Sequence, residues 1–168
     1  MSMSAAKIVT EALSLSPQAR AFVAECLLES LDVAPGEDLS PELSWSGAPE
    51  GVKSFVLIVD DPDAPDPRNP RMTWVHWVLY NLPADTTSLP EGVREADLPQ
   101  GTLSGLNDWK RTGYGGPCPP VGSHRYFHKL YALDIVLPDL NQPQKAELEA
   151  AMEGHVLGSA ELVGVYER

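Results

Sequence analysis

The spacing of apolar residues changes once along the chain, near residue 33. Before it, apolar side chains recur at helical intervals: Ile8, Ala12 and Leu13 in one segment, then Phe22, Val23, Cys26, Leu27 and Leu31. Ser16 ahead of Pro17 suits an N-cap followed by proline at the first helical position. Residues 1–33 are therefore predicted to form a helical hairpin appended to a main domain over 34–168. Beyond the change, short apolar runs are punctuated by Pro, Gly, Asp and Asn, which predicts a β-rich domain. SFVLIV (54–59) is apolar at both parities, as a strand covered on both faces would be. WVHWVLYNL (74–82), HRYFHKLYALDIVL (124–137) and SAELVGVYE (159–167) read as further strands. NQPQKAELEAAMEG (141–154) reads as a helix with Pro143 near its start and Gly154 as its stop. Between the first two strands, DDPDAPDPRNPRM (60–72) carries four prolines and suits neither a helix nor a central strand.

At 168 residues the chain fits one domain with a substantial core, and 43% apolar with 21% charged residues is ordinary for a soluble protein. No apolar run approaches the ~20 residues of a membrane span. The first 18 residues have one lysine and no continuous apolar stretch, so no signal peptide is read and the cytoplasm is the expected compartment. Cys26 and Cys118 form no C-x-x-C pair, and no disulfide framework or cofactor is expected. A formal charge of −12 repels phosphate backbones at long range, which argues against nucleic acid. It does not exclude a small anion held by local donors.

The candidate chemistry lies at strand ends. Side chains two apart in a strand share a face, so His124, Tyr126 and His128 should point together, as should Trp74, His76 and Val78. If the strands are neighbours, His76, His124 and Tyr126 meet the acidic turn DDPDAP. An aspartate accepting from one imidazole nitrogen fixes the tautomer and leaves the other nitrogen to donate to an anion. Backbone N–H groups of the glycine-rich GYGGP and VGSHR turns would add uncharged donors. A metal is the first rival, but the acids after Asp61 miss calcium-loop spacing and no H-E-x-x-H is present. A hydrolase-like enzyme using His124 and an Asp is the second, although no G-x-S-x-G elbow supplies a nucleophile and Cys118 is a weak substitute. Trp45, Trp109 and Tyr114 are expected to pack in the core or at its rim.

DDPDAP, WVHW, GYGGPCPPVGSHRYFHKLYALD and the closing AMEGHVLGSAELVGVYER together resemble the phosphatidylethanolamine-binding protein family, in its bacterial and archaeal branch often labelled Raf kinase inhibitor-like, over about residues 36–168. The resemblance implies a mainly β fold, with a central antiparallel sheet, a smaller flanking sheet and a C-terminal helix. It places the family's anion-binding residues at Asp61, Asp63, His76, Gly116, Pro117, His124 and Tyr126, and it suggests inhibition of a kinase or protease. His128 stands where an aromatic would fit the pattern better. The family's usual opening strand is missing before GEDLSPELSW (36–45), and SLSPQARAFVAECLLESLD in its place is similar to the antitoxin-like putative addiction module component family. A sheet edge left open there would favour a homodimer, and the N-terminal helices would offer a partner-binding alternative.

Overall fold

The computed structural model describes residues 9–11, 23–25 and 38–167. In chain order the strands are β1 (Val9–Glu11), β2 (Val23–Glu25), β3 (Leu43–Ser46), β4 (Ser54–Asp61), β5 (Trp74–Pro83), β6 (Ser88–Leu89), β7 (Leu103–Ser104), β8 (Ser123–Leu133) and β9 (Val156–Glu167). One α-helix, α1 (Lys145–Met152), lies between β8 and β9. The large sheet has the order β1-β9-β8-β4-β5-β7 and the small one β2-β3-β6, with every pairing antiparallel.

β4 is central, and all eight of its residues are buried. Its alternation divides the core in two. Phe55, Leu57 and Val59 join Leu43, Trp45 and Leu89 of the small sheet in one apolar cluster. Val56 and Ile58 join Leu148 and Met152 of α1 in another. The doubly apolar SFVLIV segment thus reflects a sheet with the small sheet on one face and the helix on the other. α1 begins at a reciprocal cap between Gln144 and Glu147 and ends before Gly154, whose φ of +82° suits a residue without Cβ. No helix among the described residues is long and apolar enough to cross a membrane.

The hairpin expected over 1–33 lies outside the described residues except for two triplets, and both are extended. β1 pairs with Glu161–Val163 of β9, and β2 pairs with β3. A strand edge offers unpaired backbone donors and acceptors, and at these residues that pairing replaces the helical period of the sequence. The open edge from which a homodimer was expected is, over these residues, paired within the chain.

A second departure lies in β5. Asp60 is opposite Val75 and Val59 opposite Trp77, so His76 has no partner across the pair. This one-residue bulge reverses the alternation. Trp74 and His76 keep the face expected of them, whereas Val78 packs with Ile58 and Tyr80 toward the helix. The expectation that Val78 shares a face with His76 fails for that reason.

Candidate functional site

Three strand ends meet at one corner of the large sheet, on the face that carries the small sheet. β4 delivers Asp61, β5 delivers Trp74 and the bulged His76, and β8 delivers His124 and Tyr126. The rings of His76 and Tyr126 stand edge to face, 5.1 Å between centroids. Trp109 closes the other side of His76, at 5.1 Å and 77°, and also meets Trp74 at 5.4 Å.

The acidic turn is neutralised residue by residue, and the partners come largely from β8. Asp61 Oδ1 accepts from the Asp63 backbone N–H (2.8 Å), closing the turn, while Oδ2 lies 2.6 Å from His124 Nδ1. Asp63 accepts from the backbone N–H, Nε and a terminal nitrogen of Arg125, at 2.9, 2.8 and 2.7 Å. These Arg125 donors hold its carboxyl below the usual range against the opposing effect of burial. Asp60, one residue out of phase, faces the helix side and accepts from Lys129 (2.9 Å) and Lys145 (2.6 Å) through Oδ2. Three like charges in six residues are tolerable because β4 and the turn send each to different partners: Asp60 to Lys129 and Lys145, Asp61 to His124 and Asp63 to Arg125.

His124 does not play the part expected of it. It is fully buried, and its Nε2 donates to the Val121 carbonyl at 3.1 Å. A carbonyl only accepts, so Nε2 is the donor to Val121, and Nδ1 lies in hydrogen-bond contact with Asp61. Neither nitrogen is left for an anion. His124 instead anchors the acidic turn to β8.

His76 is held differently. Its Nδ1 donates to the Gly115 carbonyl (2.7 Å), and the Gly115 N–H returns a bond to the His76 carbonyl (2.9 Å). Burial pushes its pKa down, with the Gly115 bond and the Asp61, Asp60 and Asp108 charges opposing. The neutral ring therefore has N–H at Nδ1 and a bare lone pair at Nε2, which meets no partner among the described residues. The Tyr126 hydroxyl likewise has none among them, and burial raises its pKa.

The glycine-rich loop is braced from several directions. Asp108 Oδ2 accepts from Val75 N–H (2.7 Å), and Asn107 Oδ1 accepts from Trp109 N–H (3.0 Å). A Cβ at Gly115 would collide with the Trp109 ring, so this glycine permits the ring to sit over His76. The buried Gly116 N–H, expected as an anion donor, is taken by Asp38 Oδ1 at 3.0 Å, while Asp38 Oδ2 accepts from Arg111 at 2.6 Å. Pro117 follows, half-buried and without an N–H.

Of the residues expected at the site, Asp61, His76, His124 and Tyr126 converge. Asp63 and Gly116 are committed to Arg125 and Asp38. Trp109, expected only to pack, forms the rim and is 42% exposed. Its sole sequence signal is its place in NDWKRTGYGG, ahead of the glycines that make room for it. Trp45 and Tyr114 pack as expected, the first in the core and the second edge-on to Trp77. His128 lies deeper on the same face of β8, buried, with neither ring nitrogen hydrogen-bonded in good geometry; burial lowers its pKa to about 4. Among the described residues, no three His, Cys, Asp or Glu side chains form a metal-ligating group.

The sequence profile of the phosphatidylethanolamine-binding protein family matches residues 18–167. It begins inside the segment compared above with the addiction module family, and that comparison finds no support. A UPF0098 protein of Methanothermobacter thermautotrophicus is 52% identical over 134 residues, spanning 79% of this chain and 85% of its own. One from Aquifex aeolicus is 44% identical over 138 residues, spanning 79% and 77%. Among solved structures, Escherichia coli YbcL, described as a member of the mammalian PEBP family, matches with TM-score 0.71 and 31% identity over 97% of this chain and 98% of that one. A putative phosphatidylethanolamine-binding protein homologue from Chlamydia trachomatis matches with TM-score 0.70 and 43% identity over 77% and 82%.

Proposed function

Because this chain belongs to the phosphatidylethanolamine-binding protein family, we propose that it is a small-anion-binding regulatory module whose ligand is received between His76, Tyr126 and Trp109. The ligand class is a phosphate, a phosphorylated headgroup or a carboxylate. One observation carries this reading: the corner's carboxylates are bonded to protein side chains, Asp61 to His124 and Asp63 to Arg125, while His76 Nε2 and the Tyr126 hydroxyl meet no partner among the described residues. Repulsion by Asp61 and Asp63 is thereby muted, and two polar atoms stand beside an aromatic wall. Asp61, His124 and Gly116 then act by holding the turn and the loop, not by touching the ligand. The regulatory half of the reading, toward a kinase or protease, comes from the family likeness. The hydrolase alternative loses ground because His124, its intended base, is buried with both nitrogens bonded.

NMR titration with inorganic phosphate and phosphorylethanolamine tests the reading. Resonances of His76 and Tyr126 should move, with those of His124 changing little. His76→Ala should weaken binding about 10- to 100-fold, the range for a hydrogen bond to a charged group. Shifts absent at tens of millimolar ligand, or confined to residues away from this corner, would defeat the proposal.

A further inference from the structure

We infer that this corner takes up its oxyanion together with one proton, which resides between His76 Nε2 and the ligand. The inference rests on the anion-binding reading above and adds the protonation state of what is bound. Gly115 offers His76 only a carbonyl oxygen, so Nδ1 is obliged to be the N–H and Nε2 of the neutral ring presents a lone pair. A lone pair facing a fully ionised oxygen is repulsive, so a hydrogen has to lie between them.

The neighbours named at the corner do not supply it. His124 has committed both nitrogens to Asp61 and Val121, and the Gly116 N–H is bonded to Asp38. The Gly115 N–H is spent on the His76 carbonyl. The Tyr126 O–H and the buried Trp74 Nε1–H, which has no partner among the described residues, remain as neutral donors that keep their own hydrogens and put none on His76 Nε2. The proton therefore comes either from solvent, onto His76, or on the ligand itself, as the P–O–H of monobasic phosphate. No bond between heavy atoms is made or broken; either the anion enters and a buffer acid gives up one proton to form the Nε2–H bond, leaving its conjugate base, or a protonated anion enters alone.

The charges facing His76 are suited to a reversible uptake. From β4, Asp61 and Asp60 favour the imidazolium, as does Asp108 from the loop. From β8, His128 is itself held neutral by burial and adds no charge, and burial of His76 outweighs the acids in the free protein. An anion placed against Nε2 adds one more negative charge at contact distance and tips that balance.

Calorimetry with inorganic sulfate separates the sources, because sulfate brings no proton near neutral pH. Heats are measured at about pH 7.5 in two buffers of different ionisation enthalpy. The difference should report uptake approaching one proton per sulfate, and the dissociation constant should rise toward about tenfold per pH unit above neutrality. Inorganic phosphate at about pH 6, already largely monobasic, should bind with little uptake. Imidazole nitrogen-15 shifts of the wild-type protein should show His76 Nε2 gaining a hydrogen with sulfate, a readout independent of any variant. His76→Gln should remove the pH slope. Sulfate binding with identical heats in both buffers, or a slope that survives in His76→Gln, overturns proton uptake while leaving the anion site standing. No heat and no shift with either ion overturns both.

Discussion

At the scale of single residues, His128 is the side chain least at ease. It is buried, and its ring nitrogens lack hydrogen bonds worth about 1–3 kcal/mol each when unmade. Its folded pKa of about 4 lies below the unfolded value near 6.5. The unfolded chain therefore takes up a proton first as pH falls. Stability attributable to His128 is complete above about 6.5 and declines between there and about 4, by about 2 kcal/mol at pH 5. Urea denaturation at pH 7 and pH 5 should show that decline in the wild type and a smaller one in His128→Phe. Equal declines would mean that His128 is not the group responsible. His76, also held neutral by burial, adds to the same limb and remains in the variant.

At the scale of elements, β8 carries most of the site's organisation. Successive residues His124 and Arg125 reach Asp61 and Asp63, and Lys129 reaches Asp60. Arg125→Ala leaves the Asp63 carboxylate with one backbone donor, and a loss of about 1–3 kcal/mol is expected, moderated because Arg125 is 55% exposed. The Asp63 contribution is present above its unfolded pKa near 4 and is lost as pH falls below that. The variant should consequently show a shallower acid limb below pH 4, measurable by urea denaturation. An unchanged limb would remove Asp63 from the account. Much of this element-level order was legible in the sequence: β4, β5, β8, β9 and the stop of α1 follow from apolar runs and Gly154, and the convergence of His76, His124 and Tyr126 from side chains two apart sharing a face and from motif order. The bulge was not, because whether a strand skips a residue depends on its partner's register, which alternation along one chain does not encode. Nor was the commitment of Asp63 to Arg125, a contact across 62 positions of sequence.

At the scale of the whole molecule, the sheet keeps two chemistries apart. Its helix side holds Asp60, Lys129 and Lys145; its other side holds the corner of His76 and Tyr126 proposed to take an anion. Asp60→Asn should weaken docking of α1, seen as faster amide exchange in residues 145–152, and lower anion affinity only slightly, because Asp60 is one of three acids that favour the His76 imidazolium and the other two remain. A large fall in affinity would show that the strand transmits between its faces. The net charge of −12 misleads at this scale, because it sums over acids that are locally matched at the corner. A stretch that looks in sequence like one acidic patch is, in space, three separate addresses. Drift at the helix interface and retention of the ligand corner are thus separable histories for the same six residues, and relatives that differ at Asp60 while keeping Asp61 and His124 would be repacked on one side only.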